Sequence, residues 1–190
     1  MTRNRSEFLG LSCACLGALA ALDLKAFQAA PPGQAGSMVD WTKQHLNEGF
    51  WSADSLFLSA LKYLKQPEDL VRIATGFGGG MLQKDLCGYV TGGVMAIGLG
   101  LINYNPRTDN PEARKVVTAA TKQFYRWFEA EIGHARCYDI RDSKLGRFFD
   151  ASDPEENRKF IAAGGQELCA GIVGKSARKA AEMILAARQK

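Results

Sequence analysis

Leu86-Cys87-Gly88-Tyr89-Val90-Thr91-Gly92-Gly93-Val94-Met95-Ala96-Ile97-Gly98-Leu99-Gly100-Leu101 is apolar on every side. It carries no charge, so as a helix it has no face suited to water and belongs inside a protein. It is also too short and too glycine-rich to cross a bilayer, which takes about 20 residues. Gly88 and Gly92 lie four apart, on one face, where the missing side chain lets a neighbouring helix come close. The spacing therefore predicts a fold built around a buried, glycine-rich central helix.

Outward from it, the other segments also read as helices. No stretch alternates with period two for long enough to make a strand. A short helix is predicted over 40–47, ending near Gly49. Ser52 is placed to cap a helix over 53–65, with Leu56, Phe57, Ala60, Leu61 and Leu64 on one face. Pro67, Glu68 and Asp69 restart a short helix, since proline fits the first turn and acids suit its positive end. Asn110-Pro111-Glu112 opens a long helix to Ile132, closed by Gly133. Ser152-Asp153-Pro154 opens another, ending near Gly164-Gly165, and residues 166–187 form the last. The region around Asp139, Arg141 and Asp142 reads as a solvated loop. The fold class is all-α: a single compact helical domain over 37–190, preceded by a signal-like or packing segment over 1–36.

The glycine turn Gly76-Phe77-Gly78-Gly79-Gly80-Met81 invites a phosphate-loop reading, which fails on spacing. No Lys-Ser/Thr follows, and Met81 stands where a dinucleotide fingerprint needs its third glycine. No nucleotide is expected. Nor does the formal net charge of +4 come with a basic and aromatic stripe of the kind that binds nucleic acid. The basic last helix, with Lys175, Arg178 and Lys179, reads as a solvated face that could dock an acidic redox partner.

The first residues differ from the rest. Arg3 and Arg5 precede the apolar run from Phe8 to Leu22, and Pro31-Pro32-Gly33 makes a linker. This is the layout of an export signal. Asn4-Arg5-Ser6-Glu7-Phe8-Leu9-Gly10 resembles a twin-arginine signal, with Ser6 in place of the second arginine. Periplasmic delivery is one expectation; a packing helix on a cytoplasmic protein is the alternative. No integral membrane span is expected.

Five cysteines remain to be explained: Cys13, Cys15, Cys87, Cys137 and Cys169. No Cys-x-x-Cys pair supports a zinc ribbon, and no Cys-x-x-Cys-His supports covalent haem. Cys87 falls at the start of the central helix, where backbone N–H groups and the helix dipole stabilise a thiolate. The glycine turn, Cys87-Gly88-x-x-x-Gly92 and the two later cysteines resemble the redox-active family named for its C…GCAxxG…C…C pattern. They are also similar to the body of split-Soret cytochrome c, without its haem motifs. The resemblance implies an α-helical domain whose cysteines are redox-active, as ligands of an iron–sulfur cluster or another metal or as free thiols. Cys87, Cys137 and Cys169 carry over, with Gly78, Gly79, Gly80, Gly88 and Gly92 in support. Tyr89 replaces the family's alanine, and Ser52 stands where its first cysteine is expected. A fourth ligand would then come from Ser52, Asp54, His45, His134, the Cys13/Cys15 pair, a partner chain, including a second copy in a homodimer, or an exogenous molecule. Three functions follow as expectations. The first is electron transfer or redox sensing through a cysteine-ligated cluster. The second is metal-free thiol–disulfide chemistry, with Cys87 attacking and Cys137 or Cys169 resolving. The third is a non-catalytic helical interaction module.

Overall fold

The computed structural model describes residues 35–101, 111–150 and 152–188. The export-signal reading, Cys13 and Cys15 lie outside the described residues. Among the described residues seven α-helices follow in order: α1 Ala35–Asn47, α2 Ser52–Tyr63, α3 Gly88–Gly100, α4 Pro111–Ile132, α5 Cys137–Leu145, α6 Pro154–Ala162 and α7 Gly165–Arg188. No strand occurs among the described residues, and none of their helices is long and apolar enough to cross a membrane.

The apolar stretch is indeed the centre. Helix α3 packs against α2, α4 and α7, while α1 lies along α7 and α2. Tyr89, Val90, Ala96 and Ile97 of α3 join Phe124 and Phe128 of α4 and Val173 and Ile184 of α7 in one core. Helix α4 is amphipathic and buries Phe124, Phe128 and Ile132, which recur every four residues. Gly133, at φ +99°, ends it.

Two glycines set how closely α2 and α3 approach. A Cβ on Gly92 would stand 2.8 Å from the carbonyl oxygen of Ala53 and 3.2 Å from its Cα. One on Gly88 would overlap Ser52 Oγ and come within 2.9 Å of the Ala53 nitrogen. The backbone of α2 thus occupies the space that side chains would take elsewhere.

Several expectations need correction. Helix α1 begins at Ala35, earlier than predicted, because Met38 and Val39 bury against the core and extend its apolar face. Trp51, not Ser52, is the cap of α2; Ser52 is its first helical residue and turns its hydroxyl to Gly88. The supposed loop after Cys137 is the helix α5, closed by Gly146 at φ +78°. Its signals were present: an acid in the first turn (Asp139), a base in the last (Lys144) and a glycine after the end. The predicted start at 153–154 holds: Asp153 caps α6 by accepting from the backbone N–H groups of Glu155 and Glu156 at 2.9 and 2.8 Å.

The close contact makes a paired prediction. Gly98 lies on the same helix with nothing near its Cβ position. Gly98→Ala should stabilise by up to about 1 kcal/mol through helix propensity. Gly92→Ala gains the same propensity but forces α2 and α3 apart, and should destabilise by about 1–3 kcal/mol net. Urea denaturation of both variants reads the difference; equal effects would refute the contact.

Candidate functional site

The site begins with a pair of backbone hydrogen bonds. Cys87 N–H donates to the Ala135 carbonyl at 2.8 Å, and Cys137 N–H donates to the Asp85 carbonyl at 2.7 Å. Together they make a one-step antiparallel bridge between Leu86 and Arg136. The Arg136 guanidinium lies 3.5 Å from the Asp85 carboxylate on its exposed side, a contact worth little by itself. From this bridge the chain enters α3 on one side and α5 on the other. Cys87 and Cys137 therefore stand at two helix starts that are tied together. Across the bridge Cys87 stands opposite Ala135 and Cys137 opposite Asp85.

Cys169, in the first half of α7, completes the group. All three cysteines are free. They share one electrostatic neighbourhood: Cys87 senses Cys137 and Cys169, and Cys169 senses Cys137. Burial pushes the Cys87 thiol far above its ordinary range, and the nearby Cys137 adds to this. The N–H groups of Tyr89 and Val90 at the start of α3 do pull it down, as the sequence suggested, but desolvation outweighs them. The expected thiolate at Cys87 is thus a buried neutral thiol. Burial also raises Cys169, to about 11, against the opposing pull of the Arg141 guanidinium. Cys137 is raised by burial and lowered by Arg141 in the same way.

Cys169 is the part-buried member and opens on a cavity of about 410 Å³. Ser52, Trp51, Gly79, Tyr89, Arg141 and Phe160 also line it. The glycine turn forms part of its wall. Gly79 and Gly80 have φ of +60° and +72°, and the left-handed backbone continues through Met81 and Leu82. That conformation costs about 1–2 kcal/mol per non-glycine residue, a local strain of the kind that gathers at functional sites. A Cβ on Gly78 would stand 2.6 Å from Trp51 Cβ, and one on Gly79 would stand 2.9 Å from the Trp51 ring. The turn is therefore a flat seat for Trp51.

The structure separates the proposed fourth ligands. Ser52 lies beside Gly88, the residue after Cys87, and lines the cavity with Cys169. Asp54 is buried in the first turn of α2, outside the cavity lining, with its carboxyl pushed up by burial. His134 is exposed. His45 is engaged elsewhere, with Nδ1 at 3.1 Å from Ser59 Oγ. Among the described residues no group of three or more His, Cys, Asp or Glu is placed to hold a metal ion. Three cysteines and one hydroxyl supply one thiol fewer than the four cysteine ligands a cluster usually takes.

Two members were missed or undervalued in the sequence. Arg141 was assigned to a solvated loop; it is buried, because α5 places it one turn after Cys137 on the same face. Tyr89 stood out only as a departure from a pattern, and is a buried residue of the cavity wall.

The family model described as "Putative redox-active protein (C_GCAxxG_C_C)" matches residues 50–183, more than half of the chain. No curated protein and no solved structure gives a significant match. The matched span runs from Phe50, beside Ser52, through all three clustered cysteines and into α7. The chain belongs to the C_GCAxxG_C_C family of redox-active proteins.

Proposed function

We propose that this protein works as a thiol-based redox protein through Cys137 and Cys169. The observation that carries the reading is the gathering of three free thiols from α3, α5 and α7, with Cys169 opening on a cavity. Cys137 and Cys169 both lie under the influence of Arg141, which favours their ionised forms. Cys87 is the most strongly neutralised and the least suited to attack. In the working step, one thiolate attacks a disulfide substrate and the second resolves the mixed disulfide. The protein then holds one disulfide, and two thiols of the substrate leave reduced, so two electrons and two protons pass to the substrate.

Mild oxidation with a small disulfide should remove two titratable thiols and leave a mass lower by two hydrogens, reversed by dithiothreitol. Peptide mapping should find the bridge between Cys137 and Cys169. An unchanged thiol count would sink the reading.

Electron transfer or redox sensing through an iron–sulfur cluster is the second reading. Its support is the placement of Cys87 and Cys137 at two helix starts tied by one bridge, with Ser52 beside the residue after Cys87. It requires a fourth ligand and a closer gathering of the donors than the described residues show. Protein purified without oxygen from iron-supplied cells would then carry stoichiometric iron and sulfide with visible absorbance. Ser52→Cys, which adds a fourth thiol at that corner, should raise the iron content.

The buried thiols also fix a pH dependence. A thiol held neutral in the folded state favours folding until the unfolded chain's thiols ionise, near pH 8.5–9. Above that, the unfolded state binds fewer protons, and stability falls as pH rises towards about 11, where Cys169 itself ionises. Under reducing conditions the wild type should lose more stability between pH 8.5 and pH 10.5 than Cys169→Ala. Parallel losses in the two proteins would show that Cys169 is not held neutral.

A further inference from the structure

Large apolar side chains scattered singly over a surface are ordinary, but a gathering of them marks a place where something binds. Phe50 and Trp51, before α2, and Ile161, on α6, are all exposed, and all three line the cavity on which Cys169 opens. Phe160, which is buried, forms part of the wall behind them. The apolar rim continues past Gly79 to Leu82, exposed and held at φ +56°, which shares a smaller cavity with Trp51. Charge is nearly absent from the larger cavity. Among the described residues that line it, Arg141 is the one charged side chain. Its guanidinium is engaged within the protein. It lies 4.2 Å from the Phe160 ring centre and 5.4 Å from that of Phe148, Nη1 donates to the Phe149 carbonyl at 2.8 Å, and the Asp150 carboxylate is within range of its charge. The cavity therefore offers a ligand apolar surface, uncharged polar groups and one thiol.

Small-molecule sites run to about 300–1,000 Å³ and are lined mostly by apolar and aromatic side chains. A cavity of about 410 Å³ lies at the small end of that range. Cys169 is set in its wall and only part-exposed, so its sulfur meets what enters the cavity rather than a disulfide fixed on the surface of a folded protein. We infer that the cavity selects an uncharged, low-molecular-weight disulfide with an apolar body, and that Cys169 is the residue that attacks it. This deepens the thiol-based reading above and rests on it. The Cys169 thiolate bonds to one sulfur of the substrate, the substrate S–S bond breaks, and the other half leaves as a thiolate that takes up a proton. The retained half keeps its apolar body against Phe50, Trp51 and Ile161. Cys137 then attacks the Cys169 sulfur and releases that half as the second thiol, leaving one protein disulfide and two reduced substrate halves. Charged disulfides meet no exposed counter-charge in this lining, and desolvating them there is unfavourable.

The test compares two uncharged disulfides with closely similar leaving groups, bis(2-hydroxyethyl) disulfide and bis(2-phenoxyethyl) disulfide. Each is mixed with the fully reduced protein, folded and unfolded in urea, and loss of the Cys169 thiol is followed by peptide mapping. In the folded protein the phenoxyethyl compound should react about tenfold faster or more, because the cavity takes its ring out of water. In urea the two should react alike. Oxidised glutathione, which is charged, should be slower than either with the folded protein. Ile161→Ser, at the exposed rim, should cut the folded-state preference about threefold or more. Binding is read separately with 2-phenoxyethanol, which has no S–S bond: it should protect Cys169 saturably from alkylation by iodoacetamide, whereas ethylene glycol should not. Protection without thiol loss to either disulfide would support the apolar specificity and sink the redox reading. Thiol loss with no preference between the two, or no protection by phenoxyethanol, would overturn the specificity and leave the redox reading standing. Faster reaction with insulin, whose disulfides belong to a folded protein, would overturn it as well.

Discussion

The contact of α2 with the first turns of α3 is the constraint on which the site depends. Gly88 and Gly92 carry no Cβ, and the backbone of α2 at Ser52 and Ala53 fills that space. The contact brings the start of α2 to the start of α3, and Ser52 to the residue after Cys87. It also seats Trp51 on Gly78 and Gly79, which makes one wall of the cavity. The bridge at Leu86 and Arg136 then adds the start of α5 to the same place. Three helix starts converge, and α7 closes the group with Cys169.

Convergent helix starts are usually an argument for anionic groups, since their N–H donors and dipoles favour negative charge. Here desolvation prevails at the thiols. Cys87 receives that help from Tyr89 and Val90 and is still held neutral, because burial costs a thiolate more than two N–H groups return. Charge in the site comes instead from Arg141, a cation wedged between aromatic rings. The same residue opposes the upward shift of Cys137 and Cys169 and lines the cavity with Cys169.

Much of this was legible in the chain. The uncharged run 86–101 had to be buried, and Pro111, Gly133, Asp153 and Gly164 marked helix ends through proline, glycine and capping chemistry. Cys87, Cys137 and Cys169 could be picked out by their setting in the motif. Helix α5 was harder to read. It spans only nine residues, and its apolar content is too sparse for a clear period. Its signals lay in its caps and end charges alone, and with it went Arg141.

The sequence by itself determined the fold class, the central helix and the three thiols, because these rest on local pattern: periodicity, glycine placement and caps. Tertiary structure decided the rest, because it depends on separations in space between residues far apart in the chain. It set Cys137 beside Cys87 through two hydrogen bonds, buried Arg141 and Tyr89 in one cavity wall, and placed Ser52 at the corner of the site. It also reversed the electrostatics of Cys87, since a helix start is visible in a sequence but the depth of its burial is not.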